Sequence, residues 1–273
     1  IGFQVLQANT TGVCNVAVGV RALKSNVCGN RNVAIGVRAL EDNTSGGCNV
    51  SVGHEALTNN TTGQYNVAVG TDAMATNTIG TCNIGIGYRS LYDNTTGVSN
   101  VAMGFSSLEN NTTGTCNVAI GHRSLNMNTC GTANTALGSF ALCKNTTGVD
   151  NVAIGWQTLF KSTTAQQNTA VGTMALACNT VGCDNVAIGS RAMCANTTGN
   201  LNVSVGRSAL RANTTGKCNT AIGALALTTN TTGFYNTGIG YQALTTNSCG
   251  NCNTGLGYRA LAQNTTGSNN TAI

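Results

Sequence analysis

Two cysteines separated by two residues, Cys249-Gly-Asn-Cys252, are the first residues in this chain whose spacing could do chemistry. Such a pair supplies half of a tetrahedral zinc site or one redox dithiol. Zinc needs a second pair at matching spacing, and Cys178 with Cys183 does not supply it. Redox catalysis would place the pair at the opening of a helix, whereas this one straddles a glycine turn. His54 and His122 occupy one phase of the repeat described next, four repeats apart, which puts them roughly 19 Å from each other and rules out a shared ion within a chain. No Ser-His-Asp set, phosphate loop or pair of catalytic carboxylates stands out among the 8 acidic residues. The reading is a protein that is not an enzyme, with no cofactor and no metal.

What must position these residues is a repeat. Asparagine recurs without a slip at Asn15, Asn32, Asn49, Asn66, Asn83, Asn100, Asn117, Asn134, Asn151, Asn168, Asn185, Asn202, Asn219, Asn236, Asn253 and Asn270. Gly2, Gly19, Gly36 and their successors to Gly257 keep the same beat. The unit reads Asn-Thr-Thr-Gly-x-x-Asn-Val-Ala-Ile-Gly-x-x-Ala-Leu-x-x, and a register held through 273 residues means one rung of a stack per copy. The Asn-Thr-Thr-Gly segment has turn chemistry, and Asn-Val-Ala-Ile-Gly is a short strand of period two. The expected fold is all-β: a parallel β-solenoid of about sixteen rungs over residues 1–273, one continuous domain, roughly 75–80 Å long at ~4.8 Å per rung. Ile1 and Ile273 fall in one phase, so the segment reads as a window of a longer repetitive chain. Stacked amides at the strand-leading asparagines would satisfy one another along the rod.

The residues flanking the strand centre are Val, Ile, Leu, Met or Thr, whereas the centre is only Ala, Ser or Gly, as at Ala17, Ser51, Gly85 and Gly238. A face that never carries a long polar side chain is a packed face. One strand face is therefore expected to line the coil and the other to meet neighbouring chains near an axis, giving an oligomer.

Thirteen cysteines exceed ordinary cytosolic usage. Cys14, Cys48, Cys82 and Cys116 lie on alternate rungs, a series that returns at Cys218 and Cys252, while Cys28, Cys130 and Cys249 share another phase. These are disulfide candidates within or between chains, with free surface thiols the alternative. Asn-Thr-Thr at Asn9, Asn60, Asn94, Asn111, Asn145, Asn196, Asn213, Asn230 and Asn264 matches the N-glycosylation acceptor, and equally serves turn geometry. The phase after the strand glycine is rich in aromatics. Tyr88, Trp156 and Tyr241 are the side chains for lateral contact with a receptor or glycan, the alternative being packing at an edge.

Asn151-Val152-Ala153-Ile154-Gly155 resembles the head repeat of the trimeric (YadA-like) autotransporter adhesins, and the longer unit from Asn213 to Leu227 resembles repeats of phage and viral tail-fibre-like proteins. The resemblance covers the whole chain. It implies a left-handed β-roll with three chains to a rod. This unit is longer than the adhesin head repeat, and cysteines are unusual in those heads.

Charged residues make up 8% and aromatics 4% of the chain, and the net charge of +5 is too sparse for a nucleic-acid stripe. No apolar run reaches the ~20 residues of a membrane span. The function expected is structural: a segment of an extracellular, cell-surface or virion-surface fibre or filament giving reach and stiffness, self-associating as a homotrimer or filament, with lateral adhesion to a receptor or glycan. The alternative is an adhesive, glycan-binding or ice-binding solenoid module.

Overall fold

The asparagine-to-glycine run of every repeat forms one three-residue strand in the computed structural model, which describes residues 1–273 and is all-β without a helix. The chain divides into two units, Ile1–Asn134 and Thr135–Ile273. The first holds β1 (Val16–Val18), β2 (Val33–Ile35), β3 (Val50–Val52), β4 (Val67–Val69), β5 (Ile84–Ile86), β6 (Val101–Met103) and β7 (Val118–Ile120). The second holds β8 (Thr135–Leu137), β9 (Val152–Ile154), β10 (Thr169–Val171), β11 (Val186–Ile188), β12 (Val203–Val205), β13 (Thr220–Ile222), β14 (Thr237–Ile239), β15 (Thr254–Leu256) and β16 (Thr271–Ala272). Within each unit every strand pairs in parallel with the next at one repeat's offset, as Val16 on Val33 and Ala17 on Ala34, or Val152 on Thr169 and Ala153 on Ala170. Each unit is a parallel β-solenoid.

The rung from Asn26 to Asp42 shows how so short a unit closes. Val33 N–H donates up to Asn49 O at 2.8 Å, and Gly36 N–H donates down to Val18 O at 2.8 Å. After the strand come three tight turns: Ala39 N–H to Gly36 O (3.4 Å), Glu41 N–H to Arg38 O (3.3 Å) and Asn43 N–H to Leu40 O (3.3 Å). Arg38 and Leu40 hold φ of 59° and 51° at the third positions of the first two turns, where type II geometry wants glycine. Arg31, just before the strand-leading asparagine, holds 57°. Three non-glycine residues per rung in the left-handed region cost on the order of 1 kcal/mol each, which the stacking on both sides must offset. Gly36 (φ 140°) cannot be replaced so, because a Cβ there would run into the carbonyl of Gly53 on the next rung.

The interior is thin. Leu40, Ala39 and the strand-centre Ala34 are all fully buried, and their counterparts fill every internal rung. A side chain on Gly85 would meet Met74 Cγ at 2.9 Å and Ser90 O at 3.2 Å; one on Gly238 would meet Leu227 Cγ at 3.3 Å. The strand centre is small because the large side chain of the preceding rung and a backbone carbonyl already occupy the space beyond it. Of the two strand faces, the small phase is therefore the one that lines the coil, and its size is accounted for within a single chain. The branched flanking residues face outward, with Val18 at 38% and Ile120 at 40% exposure.

Candidate functional site

Two asparagine columns run along each unit, the turn column interrupted at Ser162, and meet on one carbonyl. Asn49 N–H and Nδ2 both donate to Asn32 Oδ1 on the preceding rung, at 3.0 and 3.1 Å, and Asn32 Nδ2 donates to Gly46 O at 2.9 Å. The turn asparagine Asn43 donates through Nδ2 to Asn26 Oδ1 at 2.7 Å and to the same Gly46 O at 3.0 Å. Turn threonines add a third column, with Thr44 Oγ1 donating to Thr61 O at 3.0 Å. The two asparagines, the first threonine and the glycine carbonyl of the motif form one hydrogen-bonded unit.

The arrangement decides where the sequon asparagines stand. Asn60, Asn94, Asn111, Asn145, Asn196, Asn213 and Asn230 are fully buried, and Asn60 Nδ2 spends both hydrogens on Asn43 Oδ1 (2.8 Å) and Gly63 O (3.1 Å). Asn9 and Asn264 are half-buried and join the same column through Asn26 and Asn247. A sugar on the buried amides would require the column to open.

One repeat departs from the pattern. Ser162 stands where the turn asparagine belongs and Ala165 where the glycine belongs; both are fully buried, and the Ser162 hydroxyl makes no hydrogen bond. At the normal positions a Cβ on the glycine would collide with the asparagine Oδ1 of its own rung. Shortening the asparagine to serine removes one of the two close contacts that an alanine methyl would make there, the other being the carbonyl of the next rung, so the two changes belong together.

The candidate cysteines Cys14, Cys28, Cys48, Cys82, Cys116, Cys130, Cys218, Cys249 and Cys252 are free thiols in this structure. Cys14, Cys48, Cys82 and Cys116 sit two rungs apart, ~9.5 Å, beyond the reach of a disulfide within the chain. Bridges between successive members of this column within one chain are excluded on that ground; Cys28, Cys130, Cys249 and Cys252 are exposed and Cys218 is half-buried. The Cys194 thiol is pushed up by burial and by Cys178 beside it, while Arg191, Arg211 and Lys161 pull it down.

The aromatic phase forms stacks along the coil. Tyr88 lies on Phe105 with ring centroids 5.2 Å apart, Phe105 on His122 at 5.3 Å, and Tyr241 on Tyr258 at 5.8 Å. The stacked rings stay half-exposed or more, Tyr258 at 73%, and Trp156 is 47% exposed.

The charged ridge of the first unit is an ion-pair network. Glu41, 6% exposed, is bracketed by Arg38 Nε at 2.6 Å, Arg21 Nε at 3.4 Å and Lys24 Nζ at 4.0 Å, and Arg38 also reaches Glu55. The bond to Glu41 holds the Arg38 guanidinium above its ordinary value. Sequence reasoning passed over one grouping here: ligand atoms of His54, Glu55 and Asp72 lie within 4.8 Å of one another. The signal was available, because Glu55 and Asp72 are one repeat apart and His54 adjoins the first. A groove of about 350 Å³ lined by Val13, Asn30, Arg31, Ser45 and Cys48 brings no carboxylate or histidine together. No helix is long and apolar enough to cross a membrane. No protein-family model matches this chain, and no curated protein matches it.

Proposed function

We propose that this chain is a structural protein: a stretch of fibre or filament that gives reach and stiffness, displayed outside a cell or on a virion, without enzymatic activity and without a nucleic-acid partner or membrane insertion. The observation that carries the reading is the hydrogen-bonded columns, which within each unit tie successive rungs by side chains as well as backbone. Such a stack resists bending and stretching at each step and commits its asparagine amides to one another.

Self-association is part of the reading. The outward strand faces present two columns of half-exposed branched residues, Val33 to Val118 beside Ile35 to Ile120 in the first unit, and three chains would bury these columns about a common axis. The exposed cysteines Cys14, Cys82 and Cys116 of the alternate-rung column would then staple chains to each other. Lateral adhesion would use the flanks that remain open.

Light scattering with and without reductant tests this. A threefold mass that survives reductant is expected, with the outward strand face as the main tie. A threefold mass lost on reduction would shift that role to interchain disulfides. A monomer under both conditions would overturn the trimeric fibre and favour a self-contained binding solenoid.

A further inference from the structure

The net charge of this protein is distributed unevenly. In the first unit six basic residues (Arg21, Lys24, Arg31, Arg38, Arg89, Arg123) face six acidic ones (Glu41, Asp42, Glu55, Asp72, Asp93, Glu109). The second unit has seven basic residues against only Asp150 and Asp184, so it holds the entire excess of +5. The turn edge that follows the strand glycine is where the two differ. In the first unit that edge is neutralised by Glu41 among Arg21, Lys24 and Arg38, and by Glu109 at 3.1 Å from Arg89. In the second unit the same edge carries Lys144, Lys161, Arg191, Arg207 and Arg211, all exposed and none in a salt bridge. Asp150 and Asp184 lie at the other end of the strand, next to Asn151 and Asn185.

We propose that this edge of the second unit binds a linear anionic polysaccharide, sulfated or carboxylated. The inference deepens the lateral-adhesion part of the function above and rests on it only there. Lys144 and Lys161 are one rung apart, and Arg207 and Arg211 lie three rungs beyond Lys161, so the cations span ~19 Å along the coil. Phe160 lies under Lys144, 5.4 Å from nitrogen to ring centroid, and exposed Trp156 is on the same edge. Cations with a few apolar rings between them suit a sugar chain, which offers acidic groups on its flanks and C–H surfaces on its faces. Five cations over five rungs, none on the rung of Gly172 and two on that of Gly206, average one per ~4.8 Å, a spacing nearer to one charge per sugar than to duplex DNA with its charge every ~1.7 Å.

The test is binding of the whole chain to heparin, measured at low salt and at about 0.15 M, against a 20-base-pair DNA duplex and phosphatidylserine vesicles. Lys161→Gln/Arg191→Gln/Arg211→Gln should lose at least about tenfold in heparin affinity and flatten the salt dependence by up to about three charge contacts. The charge-preserving Lys161→Arg/Arg191→Lys/Arg211→Lys should keep most of the affinity, and Arg31→Gln/Lys217→Gln, away from the edge, should change it less than about twofold. Absent heparin binding, equal losses in the edge and control variants, or tighter binding of duplex or vesicles would overturn the proposal. Light scattering of the same variants separates this outcome from the fibre reading, since the edge lies apart from the strand face and mass should not change.

Discussion

Asn100 shows what a single ladder residue does. Its Oδ1 accepts from the backbone N–H of Asn117 at 3.0 Å and from Asn117 Nδ2 at 3.2 Å, while its own Nδ2 donates to Gly114 O at 2.8 Å. Gly114 O has a second donor in Asn111, but the buried Asn117 amide has no other acceptor of this kind. Asn100→Ala should therefore destabilise by about 2–4 kcal/mol, and exchange of the Asn117 amide should accelerate more than that of its neighbours. Asp93 behaves in the opposite sense. Burial pushes its carboxyl above the ordinary 3.8, Arg89 opposes this, and Glu109 adds to it. A raised folded value means that the protonated acid is favoured in the fold. Its contribution is fully present below the unfolded value and lost as pH rises through the folded one. Asp93→Asn should accordingly raise the melting temperature at pH 7 relative to the parent, with the gain vanishing below pH 3.8; an equal gain at both pH values would assign the effect to packing instead.

At the scale of the rung, Ser162 and Ala165 form a natural experiment. Restoring asparagine alone would drive its Oδ1 into the Ala165 methyl, and restoring glycine alone opens space while adding backbone freedom. Ser162→Asn/Ala165→Gly together should reconnect the column between Asn145 and Asn179. A double-mutant cycle should show a favourable coupling of about 1–3 kcal/mol, read by urea unfolding through Trp156, the one tryptophan and a residue of the adjoining strand turn. Additive effects would mean that the two departures are unrelated. The rung also explains why its strand centre tolerates only small residues. Met74 and its leucine equivalents fill the coil, so the limit is set inside one chain.

At the scale of the molecule, the two units share a backbone plan and differ in charge. The first is held by attractive pairs around Glu41 and Glu109, and the second carries unpaired cations on the corresponding edge. Salt screens both, with opposite consequences. Raising ionic strength should slow hydrogen exchange in the rungs from Lys144 to Arg211 and leave unchanged or hasten it around Glu41. A uniform response in both regions would show that surface charge does not set their relative stability. Because stability in a repeat stack is local plus nearest-neighbour, such differences should be visible region by region.

The period determined much of this protein before any coordinates. An uninterrupted beat of asparagine and glycine dictates parallel, in-register stacking, because translation along the coil is the one symmetry a linear pattern states directly. From it follow the strand positions, the columns of Asn32 on Asn49, and the intolerance of the glycine phases. The chain alone did not say which strand face lies inside. Alternation of Ala34 with Val33 and Ile35 reads as two packed faces, and the choice depends on how far the coil narrows. That narrowing is set by left-handed backbone at Arg38 and Leu40, residues whose types do not announce it. Tertiary structure likewise decided that Cys14 and Cys48 stand too far apart to pair, and that His54 meets Asp72. It also left one charged edge neutralised and the other bare, because side chains distant in sequence become neighbours only once the rungs are stacked.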